Sequence, residues 1–386
     1  MTARSPRRSR LRRSQGRDRL GLAALGLAAL AILLDALDEP GFRVVGAAPG
    51  WGLPIALVGG LGAWLGWRGL RDLRDAVVLL AGVALAAACA WVAGHGGAAG
   101  GGFWAFVLAI WALAWRAIAA LAGQRSLDRT RQRAIDLLVP AAFGLWLVFL
   151  WEVLVTGFDV PQVLLPAPSA IAERFVGSLP ILWADFRQTF LKAILAGYAL
   201  GCGAGFVVAV LVDRVPFLQR GLLPLGNFAS ALPIVGVAPI MVMWFGFDWP
   251  SKAAVAVIMT FFPMLTNTVA GLGAAQRIDL ELLQSYGAGY WQTLVKLRLP
   301  AALPFIFNAL KINSTLALIG AIVAEFFGTP TVGMGFRIST EVGRMSLDMV
   351  WAEIVVAALA GSAFFGIIAL AEKSFTFWHP SYRRRA

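Results

Sequence analysis

With 386 residues, 59% of them hydrophobic and 14% charged, the chain lies far from a soluble domain, which carries about 25% charged residues. Runs of about 20 apolar residues follow one another, each long enough to cross a bilayer core. A mean hydropathy of +0.75 therefore predicts an all-α, polytopic transmembrane bundle, where a β-barrel would alternate over short strands. The formal net charge of +12 gathers beside the apolar runs, which fits membrane orientation and argues against nucleic acid as a partner.

The chain opens on a basic tail, residues 1–19, with eight arginines. No small-residue cleavage site follows it, so a retained first helix is expected, with the tail near anionic lipid. Apolar runs at about 20–36, 51–68, 76–94 and 103–122 predict four helices, and residues 20–124 read as an N-terminal extension. The linker at 125–136, with Arg125, Arg129, Arg131 and Arg133, is the best candidate boundary. A second series at about 137–157, 190–212, 227–246, 253–272, 304–325 and 349–371 predicts six more spans within a domain at 137–375, followed by a basic tail at 376–386. Lys and Arg are richer in alternate connections, which places both termini in the cytoplasm. Residues 158–189, with four prolines in "DVPQVLLPAPSAIAERFVGSLPILWADFRQT", read as an external connection with an interfacial helix.

Several classes lack their residues. Cys89 and Cys202 lie inside apolar runs, and His95 and His379 are far apart, so no metal or nucleophile constellation forms. An intramembrane enzyme is disfavoured on that ground. "GHGGAAGGGF" follows no strand and lacks the GK[ST] ending, and no GxxxxGK[ST] occurs, so the chain is not expected to bind ATP by a phosphate loop. Gly197, Gly201 and Gly205 recur every fourth residue and predict a flat helix face for close packing.

The segment 277–303 is a long polar excursion with a helical period of its own. Glu281, Leu282 and Leu283 belong to a first short helix, Gly287 allows a tight turn, and residues 291–299 make a second one. Pro300 and Pro304 mark the entrance to the next span. Apolar side chains presented outside the membrane call for a partner to cover them. On the following span Asn308, Asn313, Ser314, Thr315 and Glu325 are polar, and they serve either a pathway or hydrogen bonding between helices.

A glutamate, then a glycine, then a hydrophobic-x-Leu-Pro ending resembles the "EAA" loop of ATP-binding-cassette importer permeases, here Glu281, Gly287, Leu297, Leu299 and Pro300. The two alanines after the glutamate are replaced by Leu282 and Leu283. "LLPAPSAIAERF", "ALPIVGVAPIMVMWFGF", "FFPMLTNTVAGL" and "LALIGAIVAEFFG" are similar to the nitrate/sulfonate/taurine-type permeases, over about 135–380. The resemblance implies a type I permease core and no enzyme activity on this chain. It further implies two ATPase subunits that carry the ATP and Mg, an external solute-binding protein, and a second permease chain, with a homodimer as the expectation. The location implied is the cell (inner) membrane, and the solute is anionic or of the pyrimidine-precursor type. A self-contained secondary transporter or channel is the alternative; it would show mid-span ionisable residues or internal repeats.

Overall fold

The computed structural model describes residues 23–24, 26–30, 52–68, 73–94, 101–125, 128–230, 233–328 and 332–377. The N-terminal basic tail, all but the first two residues of the C-terminal one, and most of the run at 20–36 lie outside these residues. No strand occurs among the described residues, and the chain forms two compact units, Met1–Ser169 and Ala170–Ala386.

In the first unit, α1 (Gly52–Arg68), α2 (Leu73–Gly94) and α3 (Gly101–Ala122) form on the runs that predict them, followed by α4 (Arg129–Gly157). Phe106, Ile110 and Leu113 of α3 are fully buried among Val58 and Leu65 of α1, Leu79 and Val83 of α2, and Trp146 of α4. Asp128 caps α4, accepting from the Thr130 amide at 3.0 Å. Near its other end, buried Glu152 accepts from the amide and hydroxyl of Ser169 at 2.9 and 2.6 Å.

The second unit is reached through α5 (Pro168–Gly177) and contains α6 (Leu179–Arg214), α7 (Pro216–Ser230), α8 (Ile234–Phe245), α9 (Trp249–Leu272), α10 (Arg277–Ser285), α11 (Tyr290–Glu325), α12 (Met334–Gly343) and α13 (Leu347–Phe375). Among the described residues, α3 from Phe103, α4, α6, α9, α11 and α13 are long and apolar enough to cross a membrane.

Three local expectations change. The connection expected over 158–189 ends early, because Leu179 starts α6 and a widened π-helical turn over Arg187–Ile194 continues it without a break. The span expected at 227–246 is not one helix: extended Pro233 separates α7 from the 12-residue α8. A helix, α12, occupies a stretch read as connection.

At the centre, α9 is held between α6 and α11 by residue size. A Cβ on Gly197 would lie 2.5 Å from that of Ala256, and one on Gly205 would lie 2.5 Å from the Phe261 carbonyl. One on Gly201 would collide with the Thr260 hydroxyl. The four-residue glycine period thus forms the face on which α6 meets α9. Hydrogen bonds complete the trio: buried Asn313 of α11 donates to the Thr260 carbonyl at 2.8 Å and to the Cys202 sulfur at 3.1 Å. The Tyr198 hydroxyl donates to the Leu310 carbonyl at 3.1 Å.

Candidate functional site: the two ends and the groove of α11

The excursion before α11 is a helix, a turn and a helix. Gln276 stands in extended conformation ahead of α10, and Asp279 lies in its first turn, where a carboxylate favours the helix dipole. Gly287 adopts a φ of 71°, in the left-handed region that a side chain disfavours, with nothing within 4 Å of the space where a Cβ would stand. The second helix does not stop at Pro300. A widened π-helical turn over Leu294–Arg298 directly precedes Pro300, and the helix runs on through Pro300 and Pro304.

α10 buries no residue, and on it Ile278 is 71% exposed and Leu282 54%, while beyond it Tyr286 is 80% and Trp291 59% exposed. Ile278 and Leu282, four apart, share one side of the helix. Glu281 is also exposed and pairs with Arg277 at 3.0 Å. Leu283 and Leu297 are half-buried, as are Leu299 and Pro300, and Leu299 packs against the cluster containing Leu272, Leu294 and Ala302.

The base of this excursion is fixed. Arg298 donates two parallel bonds to Asp213, at 2.7 and 2.6 Å, and a third from Nε to the Leu272 carbonyl at 3.0 Å. The Tyr290 hydroxyl donates to the same carboxylate at 3.1 Å, and the Arg214 guanidinium lies over the rings of Tyr290 and Trp291. One forked contact thereby joins the ends of α6 and α9 to the start of α11. Sequence reasoning missed Asp213 and read Arg298 only as a topology charge; the pair is 85 residues apart.

Along α11 the exposed positions Phe305, Asn308, Ile312, Thr315 and Ile319 recur at three and four residues, as in a helix seam. Beside that seam lies a groove of about 400 Å³, lined by Asn308, Lys311, Ile312, Thr315, Leu316 and Phe365. Lys311 reaches Glu372 of α13 at 2.8 Å. Of the five polar positions singled out on this helix, Asn308 and Thr315 line the groove. Asn313 is turned into the packing with α9, and Ser314 is buried, donating to the Lys311 carbonyl at 2.7 Å. Glu325 is buried at the far end.

There, three successive amides opening α12 each find an acceptor on another helix. Gly333 donates to Asp185 at 2.6 Å, Met334 to the Thr189 hydroxyl at 2.8 Å, and Gly335 to Glu325 at 2.7 Å. The Thr189 hydroxyl in turn donates to Glu325 at 2.7 Å, and Arg337 donates to Asp185 at 2.9 Å. Burial opposes the Arg337 charge, but the bond and attraction of Asp185 outweigh it and raise its pKa above the usual value. Buried Lys252 of α9 donates to the carbonyls of Phe247 and Gly328.

A bundle of membrane-length helices with an exposed apolar face outside its spans and a groove of mixed polar and apolar lining along one of them has the parts of a transport protein. The description "binding-protein-dependent transport system inner membrane component" matches residues 197–376, from the glycine seam through α13. The riboflavin transport system permease protein RibX of Chloroflexus aurantiacus is 32% identical over 67% of this chain and 95% of its own length. The formylaminopyrimidine transport permease protein ThiX of Halalkalibacterium halodurans is 32% identical over 64% and 98%. A putative aliphatic sulfonates transport permease protein, SsuC of Bacillus subtilis, is 27% identical over 64% and 88%. The chain belongs to this family of binding-protein-dependent permeases, and it is a multi-pass membrane subunit.

Proposed function

We propose that the chain is the permease subunit of an ATP-driven importer, working with two separate ATPase subunits that bind ATP and Mg²⁺. The observation that carries this reading is the uncovered apolar side of α10 on a firmly clamped base. Exposed side chains of that size outside a bilayer are stabilised by a protein surface that receives them. In this reading 277–303 lies in the cytoplasm with both termini, as its Arg277, Lys296 and Arg298 favour. An ATPase grips α10 there; ATP binding draws two such loops together, and the Arg298–Asp213 fork carries the movement into α6, α9 and α11.

The opposite face receives an external solute-binding protein. A second copy of the chain completes the pathway. Similar permeases are named for riboflavin, formylaminopyrimidine and sulfonates, so the solute is small. The domain at 137–375 is the importer core in this account.

The test is a mild-detergent pull-down of the tagged chain, with Gly287→Pro and Glu281→Lys variants beside it. Proline requires a φ near about −65°, against the 71° observed, so the turn is lost. The wild type should bring an ATPase and a binding protein, and both variants should insert but lose the ATPase. A wild-type preparation that transports without any ATPase would replace this reading with a secondary transporter.

A further inference from the structure

We propose that the groove between α11 and α13 holds the solute in transit, and that this solute is an uncharged, flat heteroaromatic compound rather than a small anion. The inference rests on the permease reading above and adds a site and a chemical class to it.

Charge decides the class. Among the described residues, Lys311 is the only ionisable one lining the groove, and its ammonium is already matched by Glu372 at 2.8 Å. The side chains of the pair are 21% and 11% exposed, so neither charge is free for a ligand at little cost. An anion drawn to Lys311 would leave the Glu372 carboxylate poorly solvated and without its partner, which is strongly unfavourable. Taking an unpaired anion out of water beside a net-neutral wall is unfavourable as well.

The remaining lining suits a flat, neutral ring system. Phe365 is 45% exposed and offers a ring face for stacking. Ile312 and Leu316 supply apolar contact. Asn308 can donate and accept at once, and the Thr315 hydroxyl can do the same, which matches the ring nitrogens and carbonyls of a heterocycle. Thr315 lies seven residues, two turns, beyond Asn308, so the two groups are spaced about 10 Å along the helix and can reach both ends of a fused ring. A volume of about 400 Å³ lies within the range of small-molecule sites and admits such a compound.

The experiment uses the full chain co-purified with its ATPase in nanodiscs, carrying Ile312→Cys, which leaves Asn308 and Thr315 in place, in a Cys89→Ala, Cys202→Ser background. Leu316→Cys is the second reporter, should the first disturb assembly. Labelling by a small neutral maleimide is timed with riboflavin, with formylaminopyrimidine and with ethanesulfonate as probes. At saturation a neutral heterocycle should slow labelling about tenfold or more, ethanesulfonate should not, and Phe365→Ala should remove the protection. Equal or better protection by ethanesulfonate, protection by no probe, or no labelling without a probe would each overturn the proposal. Absence of the ATPase from the wild-type complex would strike the permease reading instead, and is seen before any probe is added.

Discussion

At its Glu325 end α11 meets a helix whose first amides are satisfied by Asp185, Thr189 and Glu325 from within the chain. At its Tyr290 end it meets one whose Ile278 and Leu282 side chains stand open. Both are short amphipathic helices flanking the same span. The difference lies in what completes them: internal acceptors for α12 and, in the proposed reading, an external surface for α10. A polar requirement met internally rigidifies a segment, whereas an apolar one left unmet gives it an affinity for something else.

The largest way to break this contrast is at the sealed end. Asp185→Ala leaves the Gly333 amide and Arg337 without their acceptor and should destabilise the chain by about 3–5 kcal/mol, read as an earlier thermal transition in detergent. Next comes the clamp beneath the open end. Asp213→Ala removes three side-chain bonds from Arg298 and Tyr290, at a cost of about 1–3 kcal/mol because the pair is partly solvated. In reconstituted complexes it should lower transport per ATP hydrolysed more than it lowers ATPase binding. The open end itself sharpens the comparison: Ile278→Ser with Leu282→Ser should change the thermal transition by within about 0.5 kcal/mol while weakening ATPase association at least about tenfold. The smallest effect is expected of Arg277→Ala, which removes an exposed i,i+4 pair with Glu281 worth about 0.3–0.5 kcal/mol.

How legible this was in the sequence follows from distance along the chain. Hydropathy finds the spans because each is a local property of about 20 residues. The glycine face is legible for the same reason, since four-residue spacing alone puts Gly197, Gly201 and Gly205 on one side of α6. The turn at Gly287 is legible as the glycine between two short helical periods. Asp185 was not: a carboxylate near four prolines reads as connection, and what keeps it in a buried helix is Gly333 and Arg337, 148 and 152 residues away. The Asp213–Arg298 fork fails to show for the same reason. Lys311 was passed over because its charge is balanced only by Glu372, 61 residues on. Among the polar residues of α11, separating Asn308 and Thr315 from Asn313 and Ser314 requires knowing where α9 lies.

The unbroken run of α11 from Tyr290 to Glu325 has a mechanical consequence. Its 36 residues make a rod about 54 Å long, well beyond the thickness of a bilayer core. With the Glu325 end anchored, a tilt of the rod swings its Tyr290 end most, and the stretch from Asn308 to Thr315 lies near the middle. A stroke delivered at the Tyr290 end therefore arrives at the groove reduced to about half or less, and vanishes at the anchor. A displacement of about 4 Å at Tyr290 becomes about 2 Å or less beside Asn308, enough to open or close a contact with a ring held against Phe365. The gearing is set by where along one helix the groove happens to lie.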